Sequence, residues 1–268
     1  MSSRSSLVLL ALGASLVSVS AAHAQTGVIS FSFSGNSDSP QYVAAKLAAG
    51  VVPAMNFSFD NGGSIGGSPA DTLTYSDGTS STATLSSYKA YDSQSGKLAS
   101  QSDYSNNGNE QLLNGYIESG PPAATNAAAT FTISSVPYAS YSLYVYAYNG
   151  ASQFGTYTVT PSGSITGTSQ DAMLQSTFDP ANPFTQATAT TAGDYLLFTG
   201  LTGSSFTLTA NRTTGDTSST TFIPIDGFQI VATPAAVPEA STTVSLGLLL
   251  ALGLGGFAVA RKKASSVN

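Results

Sequence analysis

The chain has no cysteine and no tryptophan, and its single histidine, His23, lies near the N-terminus. Without cysteine there is no disulfide framework, so an exported form must be held together by its core alone. The segment from Gln25 onward also lacks histidine. That removes the Ser-His-Asp triad, the Cys-His pair and every imidazole or thiolate metal site. Charge is scarce: Asp, Glu, Lys and Arg make up 8% of 268 residues, against roughly a quarter in an average soluble domain. Residues 25–236 hold four basic side chains, Lys46, Lys89, Lys97 and Arg212, against thirteen acidic ones, a formal charge of −9. Such a surface is a poor match for nucleic acid or anionic lipid, so no nucleic-acid partner is expected.

The two ends have compositions of their own. Arg4 precedes a mostly apolar stretch from Leu7 to Val19, and Ala22-His23-Ala24 has the small-x-small pattern of a signal peptidase site. This reads as a secretory signal peptide over 1–24, cut between Ala24 and Gln25, with the Sec machinery and signal peptidase as partners. At the other end, a linker rich in Pro and Ala leads to Val237-Pro238-Glu239-Ala240-Ser241. An apolar run from Val244 to Ala260 follows, then Arg261-Lys262-Lys263. Its seventeen residues would span about 26 Å as a helix, the short end of what crosses a bilayer. The basic cluster resists translocation and acts as a stop, which places residues 25–240 outside.

Pro-Glu, an apolar helix and a strictly C-terminal basic cluster together resemble the PEP-CTERM sorting signal over residues 237–263. Tails of that family usually read Val-Pro-Glu-Pro-Ser, and Ala240 stands here at the second Pro. The resemblance implies recognition at Pro238-Glu239 by an exosortase, a membrane transpeptidase of Gram-negative bacteria that make extracellular polysaccharide. It also implies cleavage near the motif, so that the helix anchors the chain in the inner membrane only in transit to the cell surface or extracellular matrix.

Between the ends, Ser, Thr, Gly, Ala and Tyr dominate, a mixture that suits pleated surfaces and tight turns. Short alternating segments recur: Val28 to Phe33, Ala54 to Phe59, Thr72 to Tyr75 and Thr79 to Leu85 around the turn Ser76-Asp77-Gly78, and Ala129 to Ile133. Further on come Ser142 to Tyr148, Phe154 to Thr160, Tyr195 to Phe198, Ser205 to Ala210 and Thr221 to Val231. Asn149-Gly150 has the composition of a hairpin turn. The spacing predicts an all-β ectodomain over 25–232, a β-sandwich or jelly roll. A linker with the sorting motif follows at 233–242, then the transmembrane helix with its basic stop at 243–263 and a cytoplasmic tail at 264–268. Two short helices are expected, from Ser39-Pro40 to Ala49 and over Asn109 to Leu113. Four phrases resemble uncharacterised PEP-CTERM ectodomains: Ala49 to Pro53, Leu112 to Tyr116, Tyr141 to Tyr148, and Ile225 to Ile230. That resemblance carries no activity with it.

Carboxylates are the remaining catalytic chemistry, and Glu110 and Glu118 are the only glutamates before the linker. They read as solvated loop residues rather than as an acid/base pair. Calcium is the metal that an all-oxygen ligand set suits, with Asp60, Asn61 and Asp103 as weak candidates, though such residues more often serve turns. Tyr144, Tyr146 and Tyr148 share one face of a strand, opposite Leu143, Val145 and Ala147. If exposed, the three rings would form a sugar platform; a structural role is the simpler reading. The sequence therefore points to a non-enzymatic surface or matrix protein associated with exopolysaccharide, with no resident cofactor. A carbohydrate-binding module, calcium-dependent or not, is the alternative, and a carboxylate-based glycan-active enzyme a third reading.

Overall fold

Alternation of apolar residues with Ser and Thr governs most of the chain. The computed structural model describes residues 27–33, 43, 46–59, 71–90, 92–95, 107–121, 127–148, 153–162, 167–179, 184–213 and 222–233. The strands in chain order are β1 (Val28–Ser32), β2 (Ser58–Phe59), β3 (Asp71–Thr74), β4 (Ser80–Lys89), β5 (Asp92–Ser95), β6 (Gly115–Glu118), β7 (Ala129–Ser134) and β8 (Ser140–Tyr146). There follow β9 (Gln153–Pro161), β10 (Thr168–Leu174), β11 (Ala192–Gly193), β12 (Tyr195–Thr202), β13 (Phe206–Arg212), β14 (Pro224–Ile225) and β15 (Gly227–Ala232). One short helix, α1 (Gly108–Leu112), precedes β6.

These strands form three sheets, ordered β12-β8-β15-β1-β2, β11-β10-β9-β13-β7-β4-β3, and β14-β6-β5. The protein is mostly β-sheet, as its composition predicts. The five- and seven-stranded sheets bury apolar residues in one shared core. Phe31, Leu143, Val145 and Phe228 enter it from the first sheet, and Phe131, Tyr157, Phe206 and Leu208 from the second. Phe131 and Phe228 stack across the gap with ring centroids 4.7 Å apart, a spacing at which aromatic pairs add to simple burial.

Period-two alternation explains the seven-stranded sheet directly. β7 reads Ala-Thr-Phe-Thr-Ile-Ser, with Ala129, Phe131 and Ile133 buried and the hydroxyl residues on the other face. β13 pairs with it in the same phase, setting Leu208 opposite Phe131 and Thr207 opposite Thr132. The β3–β4 hairpin forms around Ser76-Asp77-Gly78 as predicted, with Gly78 at φ +86°. Asp77 Oδ1 accepts from the Thr79 amide and hydroxyl, which holds its carboxyl below the usual range.

Three local expectations change. Asn149-Gly150 does not close a hairpin, because the strands it joins belong to different sheets: β8 pairs with β12 and β15, and β9 with β10 and β13. The connection is therefore a crossing between layers. No helix runs to Ala49, since residues 46–49 are non-helical and Ala49 makes an isolated antiparallel bridge to Ala54. Glu118 is no loop residue: it ends β6, with Asp92 on one side and Pro224 on the other, and is buried. Glu110, on α1, is buried too.

Among the described residues no helix is long and apolar enough to cross a membrane. The signal peptide with Ala22, Ala24 and Gln25, the motif Val237 to Ser241, the apolar run and Arg261 to Lys263 lie outside the described residues. So do Asp60, Asn61 and Asp103.

Phe131 makes ring contacts with Phe33, Phe206 and Phe228. Phe131→Ala is expected to destabilise the protein by about 3–5 kcal/mol, read as a lower urea midpoint with an unchanged slope.

Candidate functional site

Outside the shared core, the five-stranded sheet has a second face lined by Ser30, Tyr144, Tyr146, Tyr195 and Gln229, which the register brings together. The alternation predicted for β8 holds: Leu143, Val145 and Ala147 enter the shared core, while Tyr146 and Tyr148 join a separate apolar cluster. That cluster includes Val43, Ala49, Ala54, Phe57, Leu112 and Leu113, with Phe178 and Phe184 packed against it. Tyr146 and Tyr148 are 0% and 4% exposed, and Tyr144 is half-buried. The tyrosine row is therefore no open sugar platform. A covering layer lies on it.

The cover is pinned by hydrogen bonds between neutral groups. Tyr146 donates its hydroxyl proton to Gln229 Oε1 at 2.5 Å and accepts from the Val51 amide at 2.7 Å. Gln229 Nε2 donates to the Val52 carbonyl at 2.9 Å and to Ser30 Oγ at 3.2 Å. Gly50, at φ +93°, lies against the Gln229 side chain so closely that a β-carbon would collide with its amide. Its own N–H donates to Asn109 Oδ1 at 3.0 Å. Asn107 caps the helix, its Oδ1 accepting from the amides of Asn109 and Glu110, as cap residues do. Leu112 then packs onto Gly227, where a side chain would meet both its methyl group and the Phe31 carbonyl.

The four phrases singled out in the sequence meet at this place. Val51 and Val52 bond Tyr146 and Gln229, Leu112 covers Gly227, and Gln229 pairs with Tyr144 across the sheet. Separated by up to about 180 positions, they form one continuous packing unit.

Two buried aspartates complete it. Asp226 bridges strands at the end of β8: its N–H donates to the Tyr146 carbonyl, its carbonyl accepts from Phe33, and its Oδ2 accepts from the Tyr148 amide. Asp194 holds the 184–194 loop, with Oδ1 accepting from the Thr185 amide at 3.0 Å and Oδ2 from Gln175 Nε2 at 3.1 Å. Burial pushes the Asp194 carboxyl up to about 7, although the amide bond from Thr185 favours the ionised form. Burial likewise raises the Tyr148 phenol, with both aspartates adding to the effect. Asp226 lies inside one of the four phrases; Asp194 was not singled out in the sequence. A polar residue immediately before the alternating run Tyr195 to Phe198 was its only signal.

Chemically, Asp226 Oδ2 and Asp194 Oδ1 face backbone amides, and Asp194 Oδ2 faces a carboxamide. Through these bonds Asp194 and Asp226 position a loop and a strand end. Among the described residues no three His, Cys, Asp or Glu side chains group as metal ligands.

Tyr146→Phe would leave the Val51 amide and Gln229 Oε1 without the phenol, which costs about 1–3 kcal/mol for buried polar groups. Hydrogen exchange at the Val51 amide should accelerate accordingly. Asp194 sets a pH dependence. Its carboxyl holds a proton more tightly in the native than in the unfolded chain, so its contribution is fully present below about pH 4 and falls as pH rises towards about 7. The rise from 3.8 to about 7 corresponds to a loss of at most roughly 4 kcal/mol. Asp194→Asn keeps the acceptor for Thr185, and a half-turn of the Gln175 amide matches the new donor. Urea titrations from pH 4 to 8 should show a shallower decline in this variant than in the parent chain.

No family model matches the chain, and no curated protein matches it.

Proposed function

We propose that the chain is an exported, non-enzymatic protein of the cell surface or extracellular matrix, associated with exopolysaccharide and built on a β-sandwich of jelly-roll type. The observation that carries this reading is the pairing of an N-terminal signal peptide with the C-terminal series Val237 to Ser241, Val244 to Ala260 and Arg261 to Lys263. Each part has a physical reason: a short apolar signal with a small-residue cleavage site, an apolar run of membrane length, and a basic stop. The tail resembles a PEP-CTERM signal, so an exosortase-type transpeptidase is the proposed processing partner. No resident cofactor is assigned.

The ectodomain supports the non-enzymatic part of the reading. Its most buried carboxylates hold backbone amides, and the tyrosine row that favoured a sugar platform lies under a covering layer. A carbohydrate-binding role then needs a different surface.

The test is made in an exosortase-bearing host that secretes polysaccharide. The chain should appear in the matrix fraction shortened at its C-terminus. Glu239→Ala should accumulate at full length in the inner membrane, as judged by intact mass and fractionation. Matrix-located wild-type chain that retains residues 242–268 would overturn the sorting assignment.

A further inference from the structure

The outward face of the seven-stranded sheet carries rows of hydroxyl side chains, and at one end it changes character. Phe154, at the start of β9, is 45% exposed. It lies opposite the partly exposed Met173 of β10. Two residues further along, Thr156 stands between Asp171 on β10 and Asn211 on β13, one row deeper on the same face. Thr156 Oγ1 donates to Asp171 Oδ1 at 2.7 Å in an exposed setting. Arg212 alternates to the opposite side of β13, and its Nε is buried. An exposed ring thus stands beside a polar triplet that offers hydroxyl, carboxylate and carboxamide, with no cation in either row.

We infer that this end of the sheet, Phe154 with the row Asn211–Thr156–Asp171, is a contact surface for a neutral polysaccharide chain. The inference rests on the proposed matrix location for the class of partner, and on the following geometry for the place. A pyranose ring has an apolar C–H face, which suits an aromatic ring, and an edge of hydroxyls, which needs closely spaced donors and acceptors. The only charge in the row is Asp171, so an anionic polymer is repelled where a neutral one is not. Adjacent strands rotate by about 20–25°. Three strands therefore cannot lie flat on a crystalline surface, whereas a single flexible chain can follow them. The apolar part is two side chains, far below the roughly 800 Å² per partner of a stable protein interface, which disfavours a second copy as occupant.

Topology also favours an external polymer. β1 and β15 are antiparallel with Val28 opposite Val231, so residues 27 and 233 lie at one end of the molecule. β8 runs from that end, where Tyr141 pairs with Ala232, to the other, where Tyr146 pairs with Gly227. The chain then crosses to β9, which puts Phe154 at the end remote from residue 233. A chain tethered by its C-terminal tail presents this end outward.

Affinity electrophoresis of the purified full-length chain in detergent would test the inference. The probes are hydroxyethyl cellulose and galactomannan as neutral polysaccharides and alginate as the anionic one. Retardation is expected in at least one neutral gel and less in alginate. Phe154→Ala and Thr156→Val should each weaken it by about tenfold, Phe154→Trp should strengthen it, and Thr207→Val, at the other end of the same face, should leave it unchanged. Four results would overturn it: no retardation in either neutral gel, equal retardation of Phe154→Ala, strongest binding to alginate, or loss of binding in Phe154→Ala that tracks a change in self-association by sedimentation velocity. Tail processing is measured separately, so a failure here leaves the sorting assignment standing, and the reverse.

Discussion

The hydrogen bond from the Tyr146 hydroxyl to Gln229 Oε1 joins two strands of one sheet and, through the same two side chains, holds down the turn at Gly50 to Pro53. Everything on that side of the molecule depends on it. The turn supports Asn109, Asn109 lies on the helix that Asn107 caps, and that helix lays Leu112 on Gly227. The two glycines are fixed by this arrangement: Gly50 needs a positive φ and space beside Gln229, and Gly227 needs to admit Leu112. A side chain at either position would lift the cover from the sheet.

This solution follows from a shortage of charge. With 8% charged residues, buried polar groups are matched by amides, hydroxyls and carboxamides. Neutral pairs avoid the desolvation penalty of buried ions, which several kcal/mol of Coulombic attraction often fails to offset. Glu110, Glu118, Asp194 and Asp226 are the buried exceptions among the described residues, and each of the two aspartates accepts from a backbone amide, of Thr185 and of Tyr148. Asp194 reveals the tension: burial raises its proton affinity while the Thr185 amide lowers it. Such a group suits a protein whose loops must hold still without disulfides.

The sequence shows strands well and their partners poorly. β1, β7, β8, β9 and β13 are readable because apolar and hydroxyl residues alternate without interruption. β10 was missed: Thr-Ser-Gln-Asp-Ala-Met-Leu buries little until Ala172, since it lies near a sheet edge. β6 was missed because all four of its residues are buried, which erases alternation. Asn149-Gly150 misled because turn composition reports a local bend and says nothing about which sheet receives the next strand. The tyrosine row illustrates the same limit. Alternation gave its two faces correctly, but only the distant segments 43–57 and 107–114 decide that the tyrosine face is covered.

The position of β15 has a mechanical consequence. It is the middle strand of five, with β8 on one side and β1 on the other, and it ends at Ala232. Tension entering at residue 233 and resisted at the remote end is directed along this strand. Six register pairs with β8 and five with β1 then carry it in shear at the same time, rather than opening one after another. Traction between residues 27 and 233 would instead peel β1 from β15 pair by pair. Were the chain tied down through its C-terminal side alone, as proposed, it would be far more resistant to pulling than the same fold drawn by both ends.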